Sequence, residues 1–144
     1  MPIEVLLVED NAGDVRLTQE AFRLINSSVR IHVAADGQAA MAFLRREGTY
    51  RDAPRPDIIL LDLNLPKLNG HQVLAQVKED DSLKLIPTLM LTTSRAEADV
   101  VKSYQLHANC YFCKPVQWGE FEAIVKTISD FWLTAVRLPQ QIPA

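Results

Sequence analysis

Short apolar runs alternate with stretches of helical periodicity along the whole chain, and this alternation constrains the fold more than any other feature. The runs are typical of buried strands, and they lie at residues 3–8, 29–34, 57–61, 88–92 and 110–113. Apolar residues recur every three or four positions between the runs, as they do on the buried face of a helix. Strands and helices in alternation predict an α/β fold with a parallel sheet, in which right-handed crossovers place helices on both faces.

Length, charge and hydropathy restrict the classes of protein to which the chain can belong. Its 144 residues suit one compact domain. The net charge of −3 argues against non-specific binding to nucleic acid or anionic membranes, because such binding needs a basic surface. No apolar run approaches the roughly 20 residues of a membrane span, and no basic stretch before an apolar run indicates a secretory signal. We therefore expect a cytoplasmic protein that binds neither DNA nor membrane.

The two cysteines, Cys110 and Cys113, form a C-x-x-C pair, which can indicate a redox motif or half of a zinc site. The pair lies within the last predicted strand, where residues three apart point to opposite faces of the sheet. We therefore expect two thiols that cannot share a metal ion.

Polar and charged side chains follow four of the predicted strands at the point where each strand ends. Glu9 and Asp10 follow the first, Asp62 the third and Lys114 the fifth, while Thr92 closes the fourth. Taken singly, such residues are usually helix caps, turn residues or solvated surface. The carboxyl ends of parallel strands share one edge of the sheet, however, and ligands of such folds bind there.

At a shared edge, these side chains have the components of phosphoryl transfer. Crowded carboxylates repel one another unless a cation neutralises them, and Mg²⁺ suits a few carboxylates with waters and a phosphate. Phosphoryl transfer needs a carboxylate nucleophile, a metal ion and donors to the phosphoryl oxygens. The strand ends supply carboxylates, an ammonium and a hydroxyl, so the sequence predicts a magnesium-assisted phosphoryl site at this edge.

The order and spacing of these residues resemble those of response-regulator receiver domains over nearly the whole chain. Glu9 and Asp10 match the acidic pair of that family, and Asp62, followed by Leu-Asn-Leu-Pro and then Asn69-Gly70, matches its phosphorylation site and loop. The resemblance implies a flavodoxin-like, doubly wound (βα)5 fold with strand order 2-1-3-4-5. It also implies that Asp62 accepts a phosphoryl group from a phosphohistidine of a sensor histidine kinase.

The resemblance assigns the metal ligands and the switch residues as well. Mg²⁺, which Mn²⁺ can replace, would be held by Asp10, Asp62, the backbone carbonyl of Asn64 and, through a water, Glu9. Thr92 and Tyr111 match the hydroxyl and aromatic switch positions, so Tyr111 would rotate into the space that the Thr92 side chain leaves. Lys114-Pro115 matches the Lys-Pro pair, whose lysine binds the phosphoryl group and whose peptide bond is cis in the family.

Less specific sequence motifs resemble those of the small single-domain response regulators of cyanobacterial phytochromes. They are residues 8–11 and 14–17, the long loop at 48–56, and the aromatic and apolar residues at 131–132 and 136–139. This resemblance implies a phytochrome-type light-sensing kinase as partner and an output through contact with a protein that the sequence does not identify. We expect the receiver domain at residues 1–134 and a C-terminal tail at 135–144.

The apolar stripe of the last predicted helix is longer than a helix needs in order to pack on one face of the sheet. It runs from Phe121 to Val136 and includes Phe131 and Trp132 beyond the expected end of the sheet. Exposed apolar surface commonly marks an interaction site, and Trp is enriched at the centre of interfaces. We predict a symmetric homodimer with Phe131 or Trp132 at its seam. The alternative is that the tail folds back over its own core.

Two other classes of function share parts of this pattern. Haloacid-dehalogenase-type phosphatases use a strand-end Asp with Mg²⁺, but their motif is Asp-x-Asp, and Asn64 stands where the second Asp would act as an acid. A flavodoxin-like interaction module without phosphorylation would not need the acidic pair, Asp62 and Lys114. We therefore expect a phosphoacceptor that promotes its own phosphorylation and slow dephosphorylation, and not a conventional enzyme.

Overall fold

The structure is a computed structural model that describes residues 2–139. Strands and helices alternate in the order β1 (Ile3–Val8), α1 (Ala12–Ile25), β2 (Val29–Ala34), α2 (Gly37–Arg45), β3 (Ile58–Leu61), α3 (Gly70–Glu79), β4 (Thr88–Thr92), α4 (Glu97–Gln105), β5 (Cys110–Cys113) and α5 (Trp118–Thr127). Short 3₁₀ turns lie at Gly48–Tyr50 and Leu83–Leu85, and a π-helical segment, Ile128–Ala135, continues α5. The strands form one parallel sheet in the order β2-β1-β3-β4-β5. The predicted fold class and strand order are therefore confirmed.

Successive strand residues point into two different apolar cores, one on each face of the sheet. Leu6 and Ile59 lie in the core that α2 and α3 cover, whereas Leu7 and Leu60 lie in the core that α1 and α5 cover. All four residues of β3 are buried. Because both faces are covered, the central strands are nearly continuous apolar runs and not alternating ones.

Helices α1, α2 and α3 each begin at a side chain that accepts a backbone hydrogen bond. Asn11, Asp36 and Asn69 accept from the amide three residues later. At α3 the bond is reciprocal, since the Gln72 side chain accepts from the Asn69 amide. These acceptors satisfy amides that would otherwise lack a partner, and they fix where each helix leaves the carboxyl edge of the sheet.

The segment after α5 differs from the predicted helix. The predicted stripe kept α-helical spacing through Phe131 and Trp132. Instead, the Val136 amide donates to the carbonyl of Phe131, five residues earlier, at 2.9 Å. A π turn contains more residues than an α turn, so it rotates the side chains: Leu133 is 6% exposed and Phe131 is 52% exposed.

Part of the predicted tail packs on the protein. Leu138 is buried in the core beneath α1 and α5, and Val136 packs against that core. Residues 140–144 of the predicted tail lie outside the described residues.

The two cysteines are free thiols on opposite faces of β5, as expected. Cys110 packs against the core of α1 and α5, whereas the Cys113 sulfur lies 3.6 Å from the carbonyl oxygen of Ser94. Among residues 2–139, no helix combines the length and the apolar character that a membrane crossing requires.

Candidate functional site

Backbone hydrogen bonds bring the predicted site residues to one edge of the sheet. The Asp62 amide donates to the carbonyl of Val8 at 3.1 Å, which places Asp62 beside the acidic pair that follows β1. The Lys114 amide donates to the carbonyl of Thr92 at 2.7 Å, which places Lys114 beside the end of β4. The edge therefore gathers residues from four strands, as predicted.

The Lys114 ammonium is the centre of the site. Lys114 is 7% exposed, and its ammonium donates to a carboxylate oxygen of Glu9, to Asp62 Oδ2 at 3.1 Å and to Asp14 Oδ2 at 3.0 Å. An ammonium has three N–H donors and no acceptor. Each donor of Lys114 therefore has its own carboxylate partner.

The acidic group beside Lys114 has the composition of a divalent-metal site. Glu9, Asp10 and Asp62 each place a carboxylate oxygen within 4.8 Å of the others. Burial raises the pKa of Glu9 to about 7, although hydrogen bonds from Lys114 and the Asn11 amide oppose the rise. Glu9 and Asp62 are buried and Asp10 is exposed beside them. Carboxylates crowded in this way are stabilised by a further cation, and hard oxygen donors match Mg²⁺. The residues present therefore fit the predicted ion.

Asp62 is held as an ionised carboxylate. Burial raises its pKa, but the hydrogen bond with Thr92 and the charge of Lys114 outweigh that effect and bring the pKa below its usual range. Oδ1 accepts from the Leu63 amide at 2.7 Å, and Oδ2 faces Lys114. An ionised carboxylate in this position can act as a nucleophile. Asn64, whose carbonyl was predicted as a metal ligand, is exposed in the same loop, and its amide lies 3.4 Å from Asp62 Oδ1.

Two glycines hold the loop that follows Asp62. Gly70 begins α3 so close to the site that a Cβ there would lie 2.2 Å from the carbonyl oxygen of Asp62. Gly37 begins α2, and a Cβ there would lie 2.0 Å from the carbonyl oxygen of Leu68. No side chain fits at either position, so the loop is confined between the first turns of α2 and α3.

The predicted switch residues are joined through Ser94. Thr92 is fully buried, and its side chain lies close enough to Asp62 to lower the pKa of that carboxyl. The Ser94 amide donates to Thr92 Oγ1 at 3.4 Å, and the Tyr111 hydroxyl donates to the Ser94 carbonyl at 2.9 Å. The Ser94 hydroxyl in turn donates to Asp99 of α4 at 2.6 Å. Hydrogen bonds therefore connect Thr92, which lies beside Asp62, to β5 and α4.

The resemblance implied a cis peptide bond between Lys114 and Pro115, and this prediction is wrong. The described residues contain no cis peptide bond, so Lys114–Pro115 is trans. The trans isomer is the lower in free energy for a residue followed by proline, by about 0.5–1 kcal/mol.

One residue that contacts Lys114, Asp14, was not among the predicted site residues. Asp14 lies in the first turn of α1, and helical side chains tilt toward the N-terminus of their helix. Its carboxylate therefore points back to the sheet edge from which α1 departs. In the sequence, Asp14 lies four residues after Asp10 and opens the segment 14–17 that resembles the phytochrome regulators.

Phe131 and Trp132 do not belong to this edge. They follow α5, which starts near the site and runs away from it. The two rings meet edge to face, with centroids 5.5 Å apart. Trp132 is half-buried against the core, while Phe131 is exposed.

Comparisons with known proteins agree with the site geometry. Residues 5–126 match the family described as response regulator receiver domain. The response regulator Rcp1 of Synechocystis sp. is 47% identical over 138 residues, which are 96% of this chain and 94% of that protein.

Two solved structures are similar along nearly the whole chain. The phosphorylated cyanobacterial phytochrome response regulator RcpA has a TM-score of 0.93 and 47% identity, over 96% of this chain and 99% of that one. The Mn²⁺-bound form of response regulator Rcp1 has a TM-score of 0.90 and 47% identity, with the same coverage. With its fold, its strand-end residues and these relatives, the chain belongs to the response-regulator receiver-domain family.

Proposed function

We propose that the chain is a phosphoacceptor of a two-component phosphorelay, in which Asp62 receives a phosphoryl group from a phosphohistidine of a sensor histidine kinase. The observation that carries this proposal is the position of the ionised Asp62 carboxylate between the Lys114 ammonium and the acidic pair. In the transfer, an Asp62 oxygen bonds to phosphorus while the P–N bond to histidine breaks. The electron pair of that bond stays on the imidazole nitrogen. The chain thus promotes its own phosphorylation, and later slow loss of the group to water, without being a conventional enzyme.

The other residues of the site would bind the metal ion and the phosphoryl oxygens. Asp10, Asp62 and the carbonyl of Asn64 would hold Mg²⁺ directly, and Glu9 would hold it through a water. The ion would supply the positive charge that offsets the carboxylates and the phosphoryl oxygens. Mn²⁺ can replace Mg²⁺, and the Mn²⁺-bound form of Rcp1 supports this.

Phosphorylation would change the surface formed by α4, β5 and α5. A phosphoryl group adds a charge of about −1.5 to −2 near neutral pH, and Lys114 and Thr92 would turn toward its oxygens. The Thr92 hydroxyl would then leave its contacts with Asp62 and Ser94. Because Tyr111 is bonded to Ser94, the change would pass to Tyr111 and the start of α4.

The partner in this proposal is a phytochrome-type sensor kinase in the cytoplasm. The 47% identity to the phytochrome response regulator RcpA over nearly both whole chains supports it. The output would be contact with a downstream protein and not with DNA or membrane, which agrees with the acidic net charge of −3.

Intact mass after incubation with acetyl phosphate or phosphoramidate and Mg²⁺ tests the phosphoacceptor proposal. We expect wild type to gain one phosphoryl group and Asp62→Asn to gain none, because an amide is a poor nucleophile. Asp57→Asn is the matched control: Asp57 also flanks β3 and is buried, but it lies at the opposite end of the strand, where it accepts from the Glu4 amide. Equal labelling of wild type and Asp62→Asn would refute the assignment.

We propose in addition that the chain forms a symmetric homodimer with Phe131 or Trp132 at the seam, while Val136 and Leu138 of the predicted tail at 135–144 pack on the core beneath α1 and α5. Phe131 carries an aromatic ring that is 52% exposed directly next to Trp132. Sedimentation at micromolar concentration should show a dimer for wild type and monomers for Phe131→Ser or Trp132→Ala. Leu24→Ser is the control, because Leu24 of α1 is similarly exposed, at 57%. A monomeric wild type would remove the dimer, and two fully dimeric variants would remove these anchors.

A further inference from the structure

Asp14 is the partner of Lys114 that the proposed function leaves unexplained. Its Oδ2 lies 3.0 Å from the Lys114 ammonium, and its side chain is 30% exposed, whereas those of Glu9 and Asp62 are 2% and 9% exposed. Asp14 therefore closes the site on its solvent side. We propose that Asp14 is a positioning residue that keeps the Lys114 ammonium at the carboxyl edge of the sheet while the other two carboxylates bind a divalent cation. This inference rests on the proposed function of the site.

The position of Asp14 is fixed by its own backbone. Its amide donates to the Asn11 side chain at 3.0 Å, and its carbonyl accepts from the Thr18 hydroxyl at 2.8 Å. These two bonds hold the first turn of α1 beside the end of β1. The carboxylate therefore reaches Lys114 from an anchored helix and not from a mobile loop.

Asp14 differs from the other two partners in what else it can bind. Glu9 and Asp62 belong to the acidic group with Asp10, whose oxygens lie within 4.8 Å of one another. Among the described residues, that group does not include Asp14. When a divalent cation occupies the acidic group, Glu9 and Asp62 share their charge with it, and the cation repels the Lys114 ammonium. Asp14 is then the carboxylate that remains available to pair with the Lys114 ammonium.

The effect on phosphoryl transfer follows from the geometry. Lys114 is useful to an incoming phosphoryl group only if its ammonium stays within hydrogen-bonding distance of Asp62, as it does here at 3.1 Å. A charge-assisted bond from the solvent side restricts the ammonium without covering Asp62. Removal of the Asp14 charge should therefore slow transfer and leave the metal ligands in place.

Three variants test the role of Asp14. Asp14→Asn removes the charge and keeps the size, and Asp14→Glu restores the charge. Glu20→Gln is the matched control for net charge, because Glu20 lies exposed on the same helix and pairs with Arg23. Phosphorylation by acetyl phosphate should fall about five-fold or more in Asp14→Asn, because the neutral amide oxygen accepts a weaker bond from the ammonium than a carboxylate does. It should stay close to wild type in Glu20→Gln and recover substantially in Asp14→Glu.

A second readout does not depend on phosphorylation. Acetylation of Lys114 by a small amine-reactive ester, measured by peptide mass, reports how often the ammonium leaves its partners. We expect faster acetylation of Lys114 in Asp14→Asn than in wild type, with a larger difference in Mg²⁺ than in chelator. Lys126, an exposed residue paired with Asp130, is the internal reference.

The outcomes separate this inference from the proposed function. If wild type is not phosphorylated at all, the proposed function fails, whereas the acetylation result still decides whether Asp14 holds Lys114. If wild type is phosphorylated and Asp14→Asn matches it in both readouts, the role of Asp14 is refuted. A loss of Mg²⁺ affinity in Asp14→Asn as large as the loss of rate would also refute it, because Asp14 would then act on the metal.

Discussion

At the scale of single residues, the Lys114 ammonium is the positive charge that pairs with three carboxylates of the site. Burying an ionised group is costly unless it is paired, and Glu9 and Asp62 are both buried beside Lys114. The ammonium is therefore needed for the stability of the fold, and under the proposed function it would also bind the phosphoryl group. Such a double role would distinguish Lys114 from lysines that contact phosphate at an exposed surface.

Replacement of Lys114 by Met should strongly destabilise the metal-free protein. The variant leaves buried carboxylates without their cation, and removal of one partner from a buried pair typically costs about 3–5 kcal/mol. Urea unfolding in chelator measures the loss, and addition of Mg²⁺ should recover part of it. Lys126→Met should cost less than about 1 kcal/mol, because that pair with Asp130 is exposed. Similar losses for the two variants would contradict the role of Lys114.

At the scale of elements, the first turns of α2 and α3 shape the site although neither supplies a nucleophile. Gly70 lies against the backbone of Asp62, and Gly37 lies against that of Leu68. A salt bridge of 3.6 Å between Lys67 and Asp36 joins the same two segments. The loop after β3 is thus set by helix packing as much as by its own sequence.

Alanine at Gly70 should be destabilising and should impair phosphorylation, because its Cβ cannot be accommodated beside the Asp62 carbonyl without moving the loop. Alanine at Gly119 of α5 is the control: no atom lies within 4 Å of a Cβ there, and Ala stabilises a helix over Gly by about 0.5–1 kcal/mol. Thermal melts and acetyl phosphate labelling of the two variants measure both effects. A Gly70→Ala protein with wild-type stability and labelling would show that the loop adjusts freely.

The contact between α3 and α4 should make stability depend on pH. The Ser103 hydroxyl donates to the Asp99 carbonyl at 2.7 Å and accepts from His71 Nε2 at 2.9 Å. Burial lowers the pKa of His71 below 6.5, although a hydrogen bond to the Asp99 backbone opposes this. The contribution of His71 to stability is therefore complete above pH 6.5 and is lost as pH falls through the folded-state pKa.

Substitution of His71 by Gln isolates this effect, because the amide can still donate to Ser103 and does not titrate. Free energies of unfolding should differ between wild type and His71→Gln by an amount that changes from pH 7.5 to pH 5, with wild type losing more. A constant difference across this range would show that His71 does not couple pH to folding.

The elements themselves explain which features the sequence could predict. Strands buried on both faces leave apolar runs that end abruptly in polar residues, so Asp62 and Lys114 could be placed at one edge. The rotation of a helix about its own axis is harder to predict from sequence. The contact of Asp14 with Lys114 depends on that rotation of α1, so it was not among the predicted contacts. Phe131, Trp132 and Leu133 are all apolar, so their pattern could not reveal the π turn that buries Leu133 and exposes Phe131.

At the scale of the whole molecule, metal binding should report on the stability of the entire fold. A ligand that binds only the folded state stabilises it by about 2.7 kcal/mol at a hundred times its dissociation constant. We expect the thermal midpoint of wild type to rise with Mg²⁺ and to fall back with chelator. In Asp10→Ala the rise should need much more Mg²⁺, since a carboxylate of the acidic group is missing. Equal Mg²⁺ dependence in the two proteins would exclude Asp10 as a ligand.

The site is assembled from segments that are far apart in the chain. Lys114 bonds to Glu9 across 105 positions and to Asp62 across 52. During synthesis, a nascent chain that has not yet released β5 from the ribosome contains every carboxylate of the site and lacks the cation they share. Under the proposed function, we expect such a chain to be a poor acceptor for a kinase. Under the proposed function, we therefore expect the protein to accept phosphoryl groups only after its last strand has joined the sheet, so that a premature fragment would not withdraw them from the kinase.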